Sequence, residues 1–222
     1  MHLDSALVPA ILAYGSLFLS LISVLAALLL APWQALKAKA ARQHTLYAAI
    51  LLLMSFWVLG VKLSGAGITI HMLGITAVVV LFGWSLAVIA GCIAQCGLLL
   101  SGLSDVYSLG INLMLIVIIP ASVSRLVLRG IEQLPFTNLY AYMLGGGFIG
   151  AILSVIVSAT VLIGLSFWPG AELLHTSLTN TAPCLFMLAF PEGFLNGTVV
   201  TATTVFAPDI VRTFNEDKYL GH

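Results

Sequence analysis

The chain opens with Met1-His2, a pair of residues that can bind a transition metal. A free amino terminus followed by histidine supplies three nitrogens in a row: the amine, the amide nitrogen of His2 once deprotonated, and the His2 imidazole. A second histidine, His71, completes a set of four if the fold brings it to the same place. Four nitrogens in a plane suit Ni(II) or Cu(II), and also Co(II), better than Mg or Ca ions, which prefer oxygen ligands.

Both histidines also have ordinary explanations. His2 on its own has the character of a solvated terminal residue, and His71 on its own that of an interfacial histidine hydrogen-bonded to a turn. Spacing alone therefore does not establish a metal site. The hypothesis depends on whether the topology places His2 and His71 on the same side of a membrane.

The composition indicates an integral membrane protein. Of 222 residues, 61% are hydrophobic and only 7% are charged, with a mean hydropathy of +1.14. These values exclude a water-soluble globular domain. The basic and acidic residues balance at eight each, so the net charge gives no reason to expect a nucleic-acid partner.

The apolar runs predict an all-α, polytopic membrane protein in which residues 1–222 form a single transmembrane domain. A helix needs about 20 residues to cross a bilayer core of about 30 Å. Seven spans are predicted, at about residues 6–31, 46–61, 69–82, 85–100, 106–128, 138–168 and 181–206. The predicted architecture is therefore a bundle of seven transmembrane helices.

The basic residues orient this bundle. If the amino terminus is outside and the carboxy terminus is in the cytoplasm, only Lys62 is outside, and the other basic residues are inside: Lys37, Lys39, Arg42, Arg125, Arg129, Arg212 and Lys218. Cytoplasmic loops are enriched in Lys and Arg, so the asymmetry favours this orientation. It also places His71 on the same outer side as Met1 and His2.

Two uncharged polar residues, Gln95 and Asn112, fall inside apolar runs. Their predicted depths are similar, so they could form one polar layer beneath His71. The alternative is ordinary hydrogen bonding between helices, worth about 0.6 kcal/mol.

Glu192 is predicted near the middle of the last span, where an ionised carboxylate is costly unless it is paired. It is expected to be neutral, or to accept hydrogen bonds from a helix interrupted by Pro191 and from Asn196. A proton-relay or gating role is the alternative. Enzyme signatures such as G-x-x-x-x-G-K-[ST], G-x-S-x-G and H-E-x-x-H are absent, so no enzymatic activity and no organic cofactor are expected.

At these residues the sequence resembles the cobalt and nickel substrate-binding permeases of energy-coupling-factor transporters, the CbiM/NikM family. The similar segments follow the family's order: Met1-His2, Ile70-His71-Met72-Leu73-Gly74, Gln95, Leu109-Gly110-Ile111-Asn112 and Glu192-Gly193. The tail, residues 214–220, is similar to a short divergent branch. Two segments depart from the pattern. The family has Asp-Gly at the fifth and sixth positions, whereas here Asp4 is followed by Ser5-Ala6, and residues 101–104 lack the family's histidine.

The resemblance implies a subunit of the bacterial inner membrane that captures Ni or Co on the outer face for ATP-driven uptake. Its metal ligands would be the Met1 amine, the amide and imidazole of His2, and His71. Its partners would be a transmembrane coupling subunit and cytoplasmic ATPases. The two departures favour an alternative, an accessory or assembly protein for copper or another metal that kept the fold without transport.

Overall fold

The computed structural model describes residues 1–63, 65, 67–134, 138–215 and 219, without the Asn180 side chain. Within them the protein is mostly helical, and four stretches are long and apolar enough to cross a membrane: Ala10–Leu30, Leu109–Glu132, Ala141–Leu165 and Thr181–Phe206. Trp84–Leu100 is apolar but shorter. A helical membrane protein is therefore confirmed, whereas the seven spans and their orientation stay predictions. Lys218 and most of the tail lie outside the described residues.

The helices follow one another along the chain, with bounds that depend largely on Pro and Gly. They are α1 (Ala10–Leu30), α2 (Trp33–Lys37), α3 (Ala40–Val58), α4 (Ile75–Phe82), α5 (Trp84–Leu100), α6 (Leu109–Glu132), α7 (Ala141–Leu165), α8 (Glu172–Met187) and α9 (Ala189–Phe206). Short 3₁₀ turns occupy Ser5–Leu7 and Pro208–Ile210, and α6 and α7 contain π-helical turns. Because Pro191 has no N–H for the Met187 carbonyl, the helical hydrogen bonding is interrupted where α8 meets α9.

A small sheet was not predicted from the sequence. Its strands are β1 (His2–Leu3), β2 (Val61–Lys62) and β3 (Ile68–Ile70), in the order β1-β3-β2 with antiparallel pairing. His2 lies opposite Thr69, two positions before His71. Because residues 68–70 pair as a strand, the helix expected from about Thr69 begins at Ile75 instead.

The short helix α4 lies at the centre of the bundle, and all its residues are buried. It packs against α5, α6 and α9. Gly74 before it and Gly83 after it have φ of +71° and +87°, in the left-handed region that favours glycine. These two glycines turn the chain sharply at both ends, so α4 stays short.

Glycines also set two helix contacts. A Cβ on Gly110 of α6 would overlap the backbone of Leu17 in α1, and one on Gly147 of α7 would lie 3.0 Å from Cα of Gly197 in α9. Close approach of this kind gives helix packing in lipid without a hydrophobic driving force. The first contact positions the part of α6 that contains Asn112.

Candidate metal site

The amino-terminal amine and His71 meet inside the protein. The Met1 nitrogen lies 3.1 Å from Nε2 of His71, and both residues are buried. Nδ1 of His71 lies 3.0 Å from the carbonyl oxygen of Met72 and donates its hydrogen there. Nε2 is then left with a lone pair that faces the amine.

His2 adds a second imidazole beside the first. The ring centroids of His2 and His71 are 6.5 Å apart. Nε2 of His2 lies 3.2 Å from the hydroxyl of Ser104 and 3.1 Å from Nδ2 of Asn112, whereas Nδ1 is buried without a hydrogen-bond partner in the structure. When Nε2–H donates to Ser104, Nδ1 keeps its lone pair, and a buried acceptor without a partner is an expensive feature.

Asn112 holds β1 in place. Its Oδ1 accepts the Leu3 N–H at 2.8 Å, and its Nδ2 donates to the Leu3 carbonyl at 3.1 Å. This two-point contact fixes the amide orientation of Asn112 and the position of the strand that contains His2. Gln95 donates from Nε2 to the hydroxyl of Ser104 at 3.1 Å, so it reaches His2 through one intervening residue.

The amide of His2 faces the sheet. Asp4 N donates to the Gly67 carbonyl at 2.9 Å, while Leu3 N turns away to Asn112. Alternation in an antiparallel ladder then makes His2 and Thr69 the next hydrogen-bonded pair. Ligation of a metal by the amide nitrogen of His2 therefore requires this pair to open.

Glu192 supports the turn that contains His71. Its carboxylate accepts the N–H groups of Leu73 at 2.7 Å and Gly74 at 2.6 Å, and the side-chain amide of Asn196 at 2.8 Å. Asn196 also accepts the Ala77 N–H at 2.8 Å. The two side chains thus satisfy backbone donors at the start of α4, where the helix dipole favours a negative charge.

Burial removes water from the nitrogens of Met1 and His2. It lowers the pKa of the Met1 amine from 8.0 to about 5, against an opposing effect of the Glu192 carboxylate. Burial, followed by the charge of the neighbouring amine, lowers the pKa of His2 from 6.5 to about 4. Both nitrogens are therefore uncharged at neutral pH and have lone pairs available.

This donor set fits a transition metal. Metal–nitrogen bonds of about 2.0 to 2.1 Å at a right angle place adjacent ligands about 2.9 Å apart, close to the 3.1 Å between Met1 N and His71 Nε2. Among the described residues, no three side chains of His, Cys, Asp or Glu form a group that could hold a metal ion. The cluster consists instead of two imidazoles and an amine.

The structure brings together Met1, His2, His71, Gln95 and Asn112, and it places Glu192 beneath the turn that follows His71. Two residues were not predicted. Ser104 joins His2 to Gln95, and Trp57 lies 5.9 Å from His71 between ring centroids while donating to the Leu73 carbonyl at 3.1 Å. Residues 101–104 stood out only for lacking the family's histidine. Neither a serine in a loop nor a tryptophan near a span end has a distinctive sequence signal of its own.

Comparison with known proteins identifies a family for this chain. No curated protein matches the chain. A family model described as CbiM, cobalt uptake substrate-specific transmembrane region, matches residues 2–210. The match includes His2, His71 and Glu192, the residues that form or support the cluster of nitrogens. The chain therefore belongs to the CbiM family and is a membrane protein of metal-ion transport.

Proposed function

We propose that the protein is the substrate-binding subunit that captures a divalent transition metal, Ni or Co, on the outer face of a bacterial inner membrane. The observation that supports this most directly is the 3.1 Å approach of the buried Met1 amine to Nε2 of His71, beside a His2 ring whose Nδ1 is buried without a hydrogen-bond partner. Nitrogen donors suit Ni(II), Co(II) and Cu(II), so Cu is also a candidate substrate.

A fourth nitrogen is available in the His2 amide. Opening its ladder hydrogen bond costs about 0.5 to 1.5 kcal/mol. Metal binding to protein sites can release about 10 kcal/mol or more, so the ladder does not prevent ligation. We therefore include the amide as a ligand and expect the end of β1 to move slightly when the metal binds.

The energy for uptake has to come from other subunits. The sequence contains no phosphate-binding G-x-x-x-x-G-K-[ST] segment, and membership of a cobalt uptake family makes this chain a transporter component. The proposal includes a transmembrane coupling subunit and cytoplasmic ATPases as partners, with seven spans and the amino terminus outside.

The direct test is metal binding by the purified full chain. Ni(II), Co(II) and Cu(II) are titrated by calorimetry into the native protein and into His71→Ala. We expect one metal per chain and a loss of affinity of at least about 100-fold in the variant, because a ligand is removed. His175→Ala, a histidine outside the cluster, is the matched control. Absence of binding, or equal binding by His71→Ala, contradicts the proposal.

The alternative function is an accessory protein that binds metal without transporting it. It is favoured by the loop at residues 101–104, where Ser104 and not histidine reaches the site. Uptake of radioactive metal into cells that express the chain with and without coupling and ATPase subunits separates the two functions. Uptake that depends on those subunits supports the substrate-binding role, whereas binding without uptake supports the accessory role.

A further inference from the structure

A polar cavity lies at the opposite end of α4 from the metal site, and the proposed function does not use it. Its volume is about 600 Å³, and it is lined by the junction of α4 and α5, the last turns of α6, the end of α1 and the segment after α9. Arg125, Arg129 and Arg212 contribute three guanidinium groups to the lining. We call this space the arginine cavity.

The arginine cavity has a surplus of positive charge. In the part of its lining that the structure describes, the single carboxylate is Glu132, which lies 3.4 Å from Arg125. Arg212 is held nearby because its guanidinium donates to the Phe82 carbonyl at 3.0 Å. Burial lowers the pKa of Arg212 below its usual value, and the charges of Arg125 and Arg42 lower it further. Such a cluster is stabilised by an anion.

The rim of the cavity is apolar and faces outward from the bundle. Leu30 and Leu126 line it and are 70% and 64% exposed. Trp84 also lines it, donating its indole N–H to Ser122 at 3.1 Å. Tryptophan is enriched at the depth of lipid headgroups, and exposed leucines beside a basic cavity are suited to contact with acyl chains.

We propose that the arginine cavity binds the phosphate of an anionic phospholipid, whose acyl chains lie over Leu30 and Leu126. Guanidinium groups bind phosphate through paired N–H donors. Basic pockets between transmembrane helices on the cytoplasmic side are known binding sites for anionic headgroups. A free phosphate ion shares the headgroup chemistry but makes no contact with the leucine rim.

The test compares lipids by native mass spectrometry of the purified full chain in detergent. The probes are phosphatidylglycerol and phosphatidylcholine with identical acyl chains, and inorganic phosphate as competitor. We expect phosphatidylglycerol to bind more tightly than phosphatidylcholine. Its affinity should fall about fivefold for each arginine removed, because each basic residue contributes about 1 kcal/mol. The variants are Arg129→Gln and the double variant Arg125→Gln with Arg129→Gln.

Arg42→Gln is the matched control, because Arg42 contacts the carbonyl of Asp209 at the same end of the protein and does not line the cavity. It should weaken lipid binding much less than Arg129→Gln does. Arg129 is exposed, and its side chain makes no hydrogen bond or ion pair within the described residues, so Arg129→Gln should fold normally. Unchanged Ni(II) affinity in each variant shows that the fold and the metal site are intact.

Three results would overturn the proposal. Equal binding of the two lipids excludes recognition of the anionic headgroup. Complete displacement of phosphatidylglycerol by millimolar phosphate shows that the cavity takes a free anion. Unchanged lipid binding in the double variant shows that the arginines do not bind lipid. If, in the native chain, these arginines are protected from chemical labelling only when a partner subunit is added, the cavity is assigned to protein docking.

Discussion

The amine nitrogen of Met1 lies 3.1 Å from Nε2 of His71, although the two residues are 70 positions apart. The contact depends on the sheet, because β1 pairs with β3 and places His2 opposite Thr69. Asn112 fixes the same strand from the other side through Leu3. The amino terminus therefore has one defined position, and a change in its length displaces the amine from His71.

The first prediction concerns this defined length. One residue added before Met1, or acetylation of the Met1 amine, should abolish high-affinity binding of Ni(II) as completely as His71→Ala does. Both changes convert the Met1 amine into an amide, which, unlike the uncharged amine, has to lose its own proton before it can bind the metal. Titration calorimetry of the purified protein measures the loss.

An extension of the same size at the carboxy terminus is the matched control and should leave affinity unchanged. Intact-mass measurement verifies that Met1 is retained with a free amine in the reference protein. Full affinity in the extended protein would show that the amine is not a ligand. The site would then have to be rebuilt around His71.

The second prediction concerns the pH dependence of metal binding. The pKa values of about 5 for the amine and about 4 for His2 lie below their ordinary values, so neither group competes for a proton at pH 6 to 8. Only the amide of His2 then releases a proton on ligation. Affinity should fall about tenfold per pH unit from pH 8 to 6, and more steeply below pH 5 as the amine and imidazole become protonated.

Calorimetry in buffers of different ionisation enthalpy counts the released protons directly. About one proton per metal at pH 7 is expected. Release of about two or more would mean that the amine is protonated at pH 7, as in a solvent-exposed chain terminus. Release near zero would mean that the hydrogen bond between His2 and Thr69 persists and that the amide does not bind the metal.

The residues of the proposed site could be selected from the sequence more readily than the fold around them could be predicted. Histidine, glutamine, asparagine and glutamate stand out in apolar runs, because lipid offers them no partner. Hence His71, Gln95, Asn112 and Glu192 could be selected before any geometry was known. The two-residue strand β1 could not be predicted, since it is too short for a period of two to be visible.

The role of Glu192 also needed the structure. Its depth in an apolar run predicted either a neutral carboxyl or an acceptor of hydrogen bonds. The structure shows the acceptor arrangement, with both carboxylate oxygens receiving N–H groups. Its partners Leu73 and Gly74 lie 119 and 118 positions away, and local sequence patterns contain no information about such distant pairs.

The third prediction follows from this arrangement. In the native chain, the backbone N–H groups of Leu73 and Gly74 donate to the carboxylate oxygens of Glu192. Glu192→Gln replaces one of these oxygens with an NH₂ group, so a charge-assisted hydrogen bond is lost. The turn that contains His71 should loosen, and Ni(II) affinity should fall about 10- to 100-fold, as for other residues that orient metal ligands. Loss of a buried bond to a charged group costs about 1.5 to 3 kcal/mol, so the thermal midpoint should fall as well.

Glu172→Gln is the matched control, since Glu172 is exposed at the start of α8. It should change neither affinity nor the thermal midpoint. Unaltered metal affinity in Glu192→Gln, measured on folded protein, would contradict a supporting role for Glu192 and would reopen the proton-relay hypothesis.

The last prediction concerns the glycine that lets α6 approach α1. A Cβ at Gly110 would overlap the backbone nitrogen and Cα of Leu17, and the carbonyl of Gly110 accepts a hydrogen bond from Ser20 at 2.9 Å. Gly110→Ala should therefore separate the helices and shift Asn112, two residues further on. Backbone cannot move aside as a side chain does, so we expect destabilisation of about 1 to 3 kcal/mol or more, with weaker Ni(II) binding.

Gly15→Ala provides the matched control in the facing helix, because a Cβ there has nothing within 4 Å. Helix propensity favours alanine over glycine by about 1 kcal/mol, so this variant should be at least as stable as the native chain. The thermal midpoint and the Ni(II) affinity are measured for both variants. If Gly110→Ala matches Gly15→Ala in both quantities, the close contact between α1 and α6 does not position Asn112.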